Sequence, residues 1–159
     1  QVLLSERSAK RLQERVRELT PRTWGASLKA AIFKINAYTT GWLGHFRVCT
    51  EGIRTIVRNI DAHIRRRLRA ILLKHWKRKR TIARRLIQLG VSPKTAWRRV
   101  YQGRKSLWVL SGDAATHRGL RNAYFAERGL MSLKQRFEEI WAAILAPEQL
   151  LLALEPARS

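Results

Sequence analysis

An all-α fold follows from three features of the 159-residue sequence. Apolar residues recur every three or four positions over most of its length, glycine and proline fall between those runs, and no stretch alternates with period two. The expected architecture is a helical bundle with a short basic helical extension.

The elements follow in order. Ser5 can cap a first helix to about Leu19, with Leu12, Val16 and Leu19 on one face, before Pro21 and Gly25 break it. Ser27 can cap a second helix carrying Leu28, Ala31, Ile32 and Ile35. Gly41 is expected to interrupt that run, leaving residues 42–46 as a short third helix. The longest periodic segment, about 51–78, repeats Ile53, Ile56, Val57, Ile60, Ile64, Leu68, Ile71 and Leu72, with arginines on the remaining faces. Residues 81–89 form a further short helix closed by Gly90. Ser92 followed by Pro93 opens another, to about Gln102. Residues 103–112 are expected as a loop holding Trp108. Asp113 can cap a helix to about Arg128, with Gly129 as its C-terminal glycine. Ser132 and Gln135 read as a capping box for a last helix to about Leu145. Trp24, Trp42, Phe46, Leu68 and Leu72 are assigned to the core.

Charge narrows the function. Thirty-three Lys and Arg against eleven Asp and Glu leave a net charge of +22, so a polyanion is the expected counterpart. The excess is concentrated. Between Ala62 and Gly112 there is no acidic residue and there are sixteen basic ones, eleven Arg and five Lys. A short basic run is usually a solvated face; a run of this length has no internal neutralising partner, and phosphate would supply one. Guanidinium groups grip phosphate bidentately and stack on exposed bases, which suits irregular RNA. The residues expected to contact nucleic acid are Arg58, Arg65, Arg66, Arg69, Lys77, Arg78, Arg84, Arg85, Arg98 and Arg99. Trp76, Trp97 and Trp108 lie among these charges, either as base-stacking platforms or, more commonly in a small helical domain, as core rim.

The catalytic search is empty. Asp61 and Asp113 are far apart and each reads as a helix-surface or cap residue, so no carboxylate pair is offered to a metal. His45 and Cys49 have i, i+4 spacing, but no third ligand is near them in sequence, and His63, His75 and His117 are scattered. No metal or cofactor is assigned to the chain. Cys49 is the single cysteine, which excludes an intrachain disulfide. The most apolar stretch, about 142–154, is interrupted by Pro147, Glu148 and Gln149 and is too short to span a bilayer. Position 1 is Gln, and the chain is read as a piece of something longer or as a processed product.

Residues 81–100 have the outline of a helix-turn-helix. The turn glycine, Gly90, follows the small Ala83 by seven positions, where such DNA readers commonly have four. A stand-alone basic helix-turn-helix DNA-binding protein is therefore the alternative reading, and a ribosomal-type RNA binder a third.

Four blocks, in order, carry a resemblance. They are Leu19-Thr20-Pro21 through Gly25-Ala26-Ser27-Leu28; Asn36 with Gly41-Trp42 and Phe46-Arg47; Ile60-Asp61 with the basic run from Ile64 to Arg69 and Trp76-Lys77-Arg78; and Trp108 through Gly112 with Asn122 through Phe125 and Gly129 through Leu133. Together they resemble the maturase-specific domain of group II intron reverse transcriptases and the segment that follows it, over roughly residues 5–141. His45 stands where the family usually has Tyr. The resemblance implies a thumb domain at 5–79, a basic helical segment resembling the post-thumb DNA-binding region at 80–141, and an unassigned tail at 142–159. It also implies binding of group II intron RNA in support of splicing, contact with RNA/DNA template–primer and target DNA during retrohoming, and a reverse transcriptase palm as neighbour. Mg²⁺ would belong to that palm and not to this chain, which carries no catalytic residue of its own. A bacterial, cytoplasmic, nucleic-acid-associated setting follows, without a membrane.

Overall fold

A computed structural model describes residues 6–21, 25, 27–46 and 52–154, without the side chains of Phe46 and of residues 148–154. All the regular structure among these residues is helical. The helices are α1 (Glu6–Leu19), α2 (Leu28–Phe46), α3 (Ile53–Trp76), α4 (Lys79–Gln88), α5 (Pro93–Tyr101), α6 (Leu107–Ser111), α7 (Ala114–Gly119), α8 (Asn122–Ala126) and α9 (Leu133–Leu154). The fold is all-α, as the periodicity predicts. Ser5, Trp24 and Cys49 lie outside the described residues, as do the side chains of Phe46, Leu150, Leu151, Leu152 and Leu154.

Helix α3 is the spine. At 1.5 Å per residue its 24 residues span about 36 Å. Its first half is amphipathic, burying Ile53, Val57, Ile60 and Ile64 against α1 and α2. From Arg67 to Leu73 every residue is buried, because a second group of helices covers the opposite face. One apolar cluster joins Leu12, Val16, Ile35 and Leu43 to the α3 stripe and to Leu120, Phe125, Leu133 and Phe137. The other joins Leu73 to Ile82, Leu86, Val91, Ala96, Val100 and Leu110. Chain order and core order therefore differ, since residues 120–137 return to the first cluster.

Several elements depart from the sequence expectation. Helix α2 runs unbroken through Gly41: the glycine is exposed, while the adjacent Trp42 and Leu43 are buried and continue the apolar face. Packing of those two side chains outweighs the roughly 1 kcal/mol a helical glycine costs. Residues 107–111 are a helix, not loop, capped by Ser106, whose hydroxyl accepts from the Val109 N–H. Asp113 caps α7 through the Ala115 N–H, but the helix ends at Gly119 and chain direction changes before α8. Gly129, at φ 88°, closes α8 as expected, with the Leu130 N–H returning to the Phe125 carbonyl. Helix α9 continues beyond Leu145 and through Pro147 to Leu154. Ser132 accepts from the Gln135 N–H, as its capping role requires, but the Gln135 amide is turned to Glu139 and does not complete the box.

Of the two roles the sequence leaves open for Asp61, helix surface or cap, the structure shows a cap, and on a distant helix. It is not on the helix surface; it is 4% exposed and reaches across the fold to the start of α9. Its carboxylate accepts from the Ser132 hydroxyl and from the Leu133 and Lys134 N–H groups, at 2.7, 2.9 and 3.1 Å. These backbone donors have no partner within their own helix, so an anion placed there satisfies them and complements the helix dipole. Asn36 acts beside it, donating to the Gly129 carbonyl at 2.6 Å and accepting from the Met131 N–H at 3.0 Å. Two polar side chains thus fasten the α8–α9 connection to α2 and α3.

Candidate nucleic-acid interface

The sixteen cations between Ala62 and Gly112 divide by environment. Lys74, Lys77, Arg78, Arg80, Arg84, Arg85, Lys94, Arg98 and Arg104 are exposed, and none has an ion-pair partner among the described residues. They occupy the end of α3, the turn after it, the outer faces of α4 and α5 and, for Arg104, the connection that follows α5. Arg58 is also exposed, farther up α3. The geometry follows from the cores beneath: Ile82, Ala83 and Leu86 anchor α4 inward and Ala96 and Val100 anchor α5, which leaves the basic positions in solvent. Lys77 ends α3 with a positive φ of 60° and ψ −66°, and its N–H returns to the Leu73 and Lys74 carbonyls. That bend redirects the chain so that basic residues on α3 and α4 follow one another around a corner.

Other arginines are used to build the fold. Arg67, buried, donates Nε to the Thr20 hydroxyl at 3.0 Å and its terminal nitrogen to the Arg17 and Thr20 carbonyls. Those carbonyls belong to the end of α1, so Arg67 is a C-cap supplied from another helix. Arg69 is 3% exposed and donates to the Leu120 carbonyl at 3.0 Å, with Phe125 beneath its guanidinium. Burial first, and then Arg65, brings its pKa down to about 10. Arg66 lies over the Trp108 ring at 4.2 Å, and a Cβ on Gly112 would stand 3.3 Å from its guanidinium. Arg65, Arg66 and Arg99 are half-buried, and Lys105 pairs with Asp113 at 2.8 Å. Of the ten arginines and lysines expected at the interface, Arg58, Lys77, Arg78, Arg84, Arg85 and Arg98 are exposed, while Arg69 is committed to the interior.

The profile of the group II intron maturase-specific domain matches residues 9–88, 80 of the 159 positions. The chain belongs to this family. No curated protein matches the chain in sequence. The matched span of the maturase-specific domain takes in α1 to α4, and so the α3 spine, the Lys77 corner and the first part of the basic surface. Asn36, within the block that carries the resemblance, proves to be the clamp on the 129–131 turn, and Trp42 is buried. Among the described residues no three His, Cys, Asp or Glu side chains converge, and no helix is long and apolar enough to cross a membrane.

One histidine reports on this arginine-rich interior. His63 is held below its ordinary pKa, first by burial and then by Arg67, Arg17 and Arg66, and its Nε2 has no hydrogen-bond partner among the described residues. An unfolded chain takes up this proton near pH 6.5 while the folded one resists it. Stability therefore loses nothing to His63 above about pH 7 and falls as pH drops through about 6.5. Thermal unfolding followed by circular dichroism should show a lower Tm at about pH 5.5 than at about pH 7.5, and His63→Gln should reduce the difference. A Tm that rises on acidification would contradict the assignment.

Proposed function

We propose that the chain is the RNA-binding thumb and maturase region of a group II intron-encoded reverse transcriptase. In this reading it binds intron RNA to assist splicing and holds the RNA/DNA template–primer duplex beside a polymerase palm. The observation that carries the proposal is the exposed basic surface between Lys74 and Arg104, without ion-pair partners among the described residues, which begins on the maturase-specific domain. Six of its nine exposed cations stand on helices anchored from beneath, so much of a phosphate backbone can be gripped without ordering a loop. The domain's part is binding and positioning, with Mg²⁺ chemistry left to the palm, in a bacterial cytoplasmic setting.

One observation favours a second use. Helices α4 and α5 pack closely across a four-residue turn, with Gly90 at φ 93° and Ser92 capping α5 through the Thr95 N–H. That pair can grip target DNA as a helix-turn-helix does. A filter-binding comparison separates the readings. Structured group II intron RNA is expected to bind more tightly than duplex DNA of equal length. Tighter, sequence-specific binding to DNA would instead establish the helix-turn-helix as the principal activity.

A further inference from the structure

Trp97 and Tyr101 form an aromatic step outside both cores. They lie one turn apart on α5, with ring centroids 5.8 Å apart and planes inclined by 25°. Trp97 is 36% and Tyr101 50% exposed. Burying such rings is ordinarily favourable, and among the described residues several other aromatics are covered, while Phe33 on α2 is exposed as a single ring with no aromatic partner at stacking distance. Trp42 is buried, Trp76 packs on both clusters, Arg66 lies over Trp108, and Arg128 lies over Tyr124 at 3.4 Å. The Trp97–Tyr101 pair joins neither apolar cluster. The indole N–H and the phenol have no hydrogen-bond partner among the described residues.

The surroundings indicate the occupant. Lys94 and Arg98, both exposed, border the aromatic flank on the same helix, and the Lys79 ammonium stands 6.0 Å from the Tyr101 ring. Aromatic faces bordered by cations are suited to a strand with a phosphate backbone and bases free to stack. A duplex offers the phosphates but keeps its bases paired.

We infer that Trp97 and Tyr101 are a stacking platform for unpaired nucleobases of a single-stranded segment, with Lys94, Arg98 and Lys79 holding the phosphates beside it. This rests on the nucleic-acid-binding reading above and adds a distinct site to it. Stacking is blind to the sugar, so RNA and DNA strands are held alike at this step.

The test uses the full chain with oligoadenylate strands of about a dozen nucleotides, as RNA and as DNA, and a duplex of the same length. Trp97→Leu/Tyr101→Leu should weaken binding of both single strands by about tenfold or more, and of the duplex by less than about threefold. Trp97→Phe/Tyr101→Phe, which keeps the rings, should stay within about threefold of the wild type on all probes. Circular dichroism checks folding. Independently, single-stranded RNA should quench wild-type tryptophan emission, and Trp97→Phe should lose that quenching. Equal losses on single strands and duplex, no loss on either, or undiminished quenching in Trp97→Phe would each overturn the platform. If the leucine variant binds structured RNA and single strands as the wild type does, with the same salt dependence, only the platform fails. If the wild type shows no salt-dependent binding to any of these nucleic acids, the RNA-binding reading fails with it.

Discussion

Asp61→Ala is expected to cost about 3 kcal/mol of folding stability, far more than a surface aspartate would. Three donors converge on this carboxylate, and two of them are backbone N–H groups at the start of α9. Alanine leaves the Leu133 N–H buried, and the Ser132 hydroxyl and Lys134 N–H partly buried, with no acceptor, and desolvation of these donors dominates the cost. Loss of the negative charge at the helix N-terminus adds a smaller term. Asp61→Asn keeps one oxygen as acceptor but turns a donor toward the remaining N–H, so it should fall between, at about 1 to 2 kcal/mol. Urea unfolding followed by circular dichroism measures both. The order Ala, then Asn, then wild type is the prediction. A change in Asp61→Ala below about 0.5 kcal/mol would be that of a surface aspartate and would contradict the cap.

Asp61 also shows where sequence reasoning stops. The apolar stripe of α3 was legible because it repeats at helical spacing over 24 residues, and the caps at Ser27, Ser92, Asp113 and Gly129 were legible because each is local. A cap supplied from 71 residues away, Asp61 to Ser132, leaves no local trace. Arg67 left a partial one: it falls on the same helical face as Ile60, Ile64 and Ile71, a position where a solvated arginine has no room. Arg69 left none, since its burial depends on the return of the 115–125 region against the back of α3. The sequence of helix α6 reads as loop because five residues are too few to display a period. The basic surface was visible in composition, yet composition could not divide Arg78 or Arg84 from Arg69, because only the second core decides which face of α3 meets water. The i, i+4 spacing of Trp97 and Tyr101 was present in the sequence, and their shared exposure was not.

The basic surface is the account's central claim, and three exposed arginines from separate elements isolate it: Arg78 before α4, Arg84 on α4 and Arg98 on α5. None supports a core or a cap through its side chain, and glutamine keeps similar helix propensity, so helicity and unfolding should scarcely change in Arg78→Gln/Arg84→Gln/Arg98→Gln. Each arginine that neutralises a phosphate contributes a little under one unit to the slope of log K against log salt. Removing three should flatten the slope by about two to three units and weaken binding by about a hundredfold at about 0.15 M salt. The decisive measurement is the salt titration of intron RNA binding by the wild type and this variant. With about five to eight phosphates neutralised, the wild-type slope should lie between about −4 and −7, and the variant should be shallower by that amount while remaining folded. A wild-type slope near zero, or a folded variant with an unchanged slope, would contradict the assignment of this surface to nucleic acid.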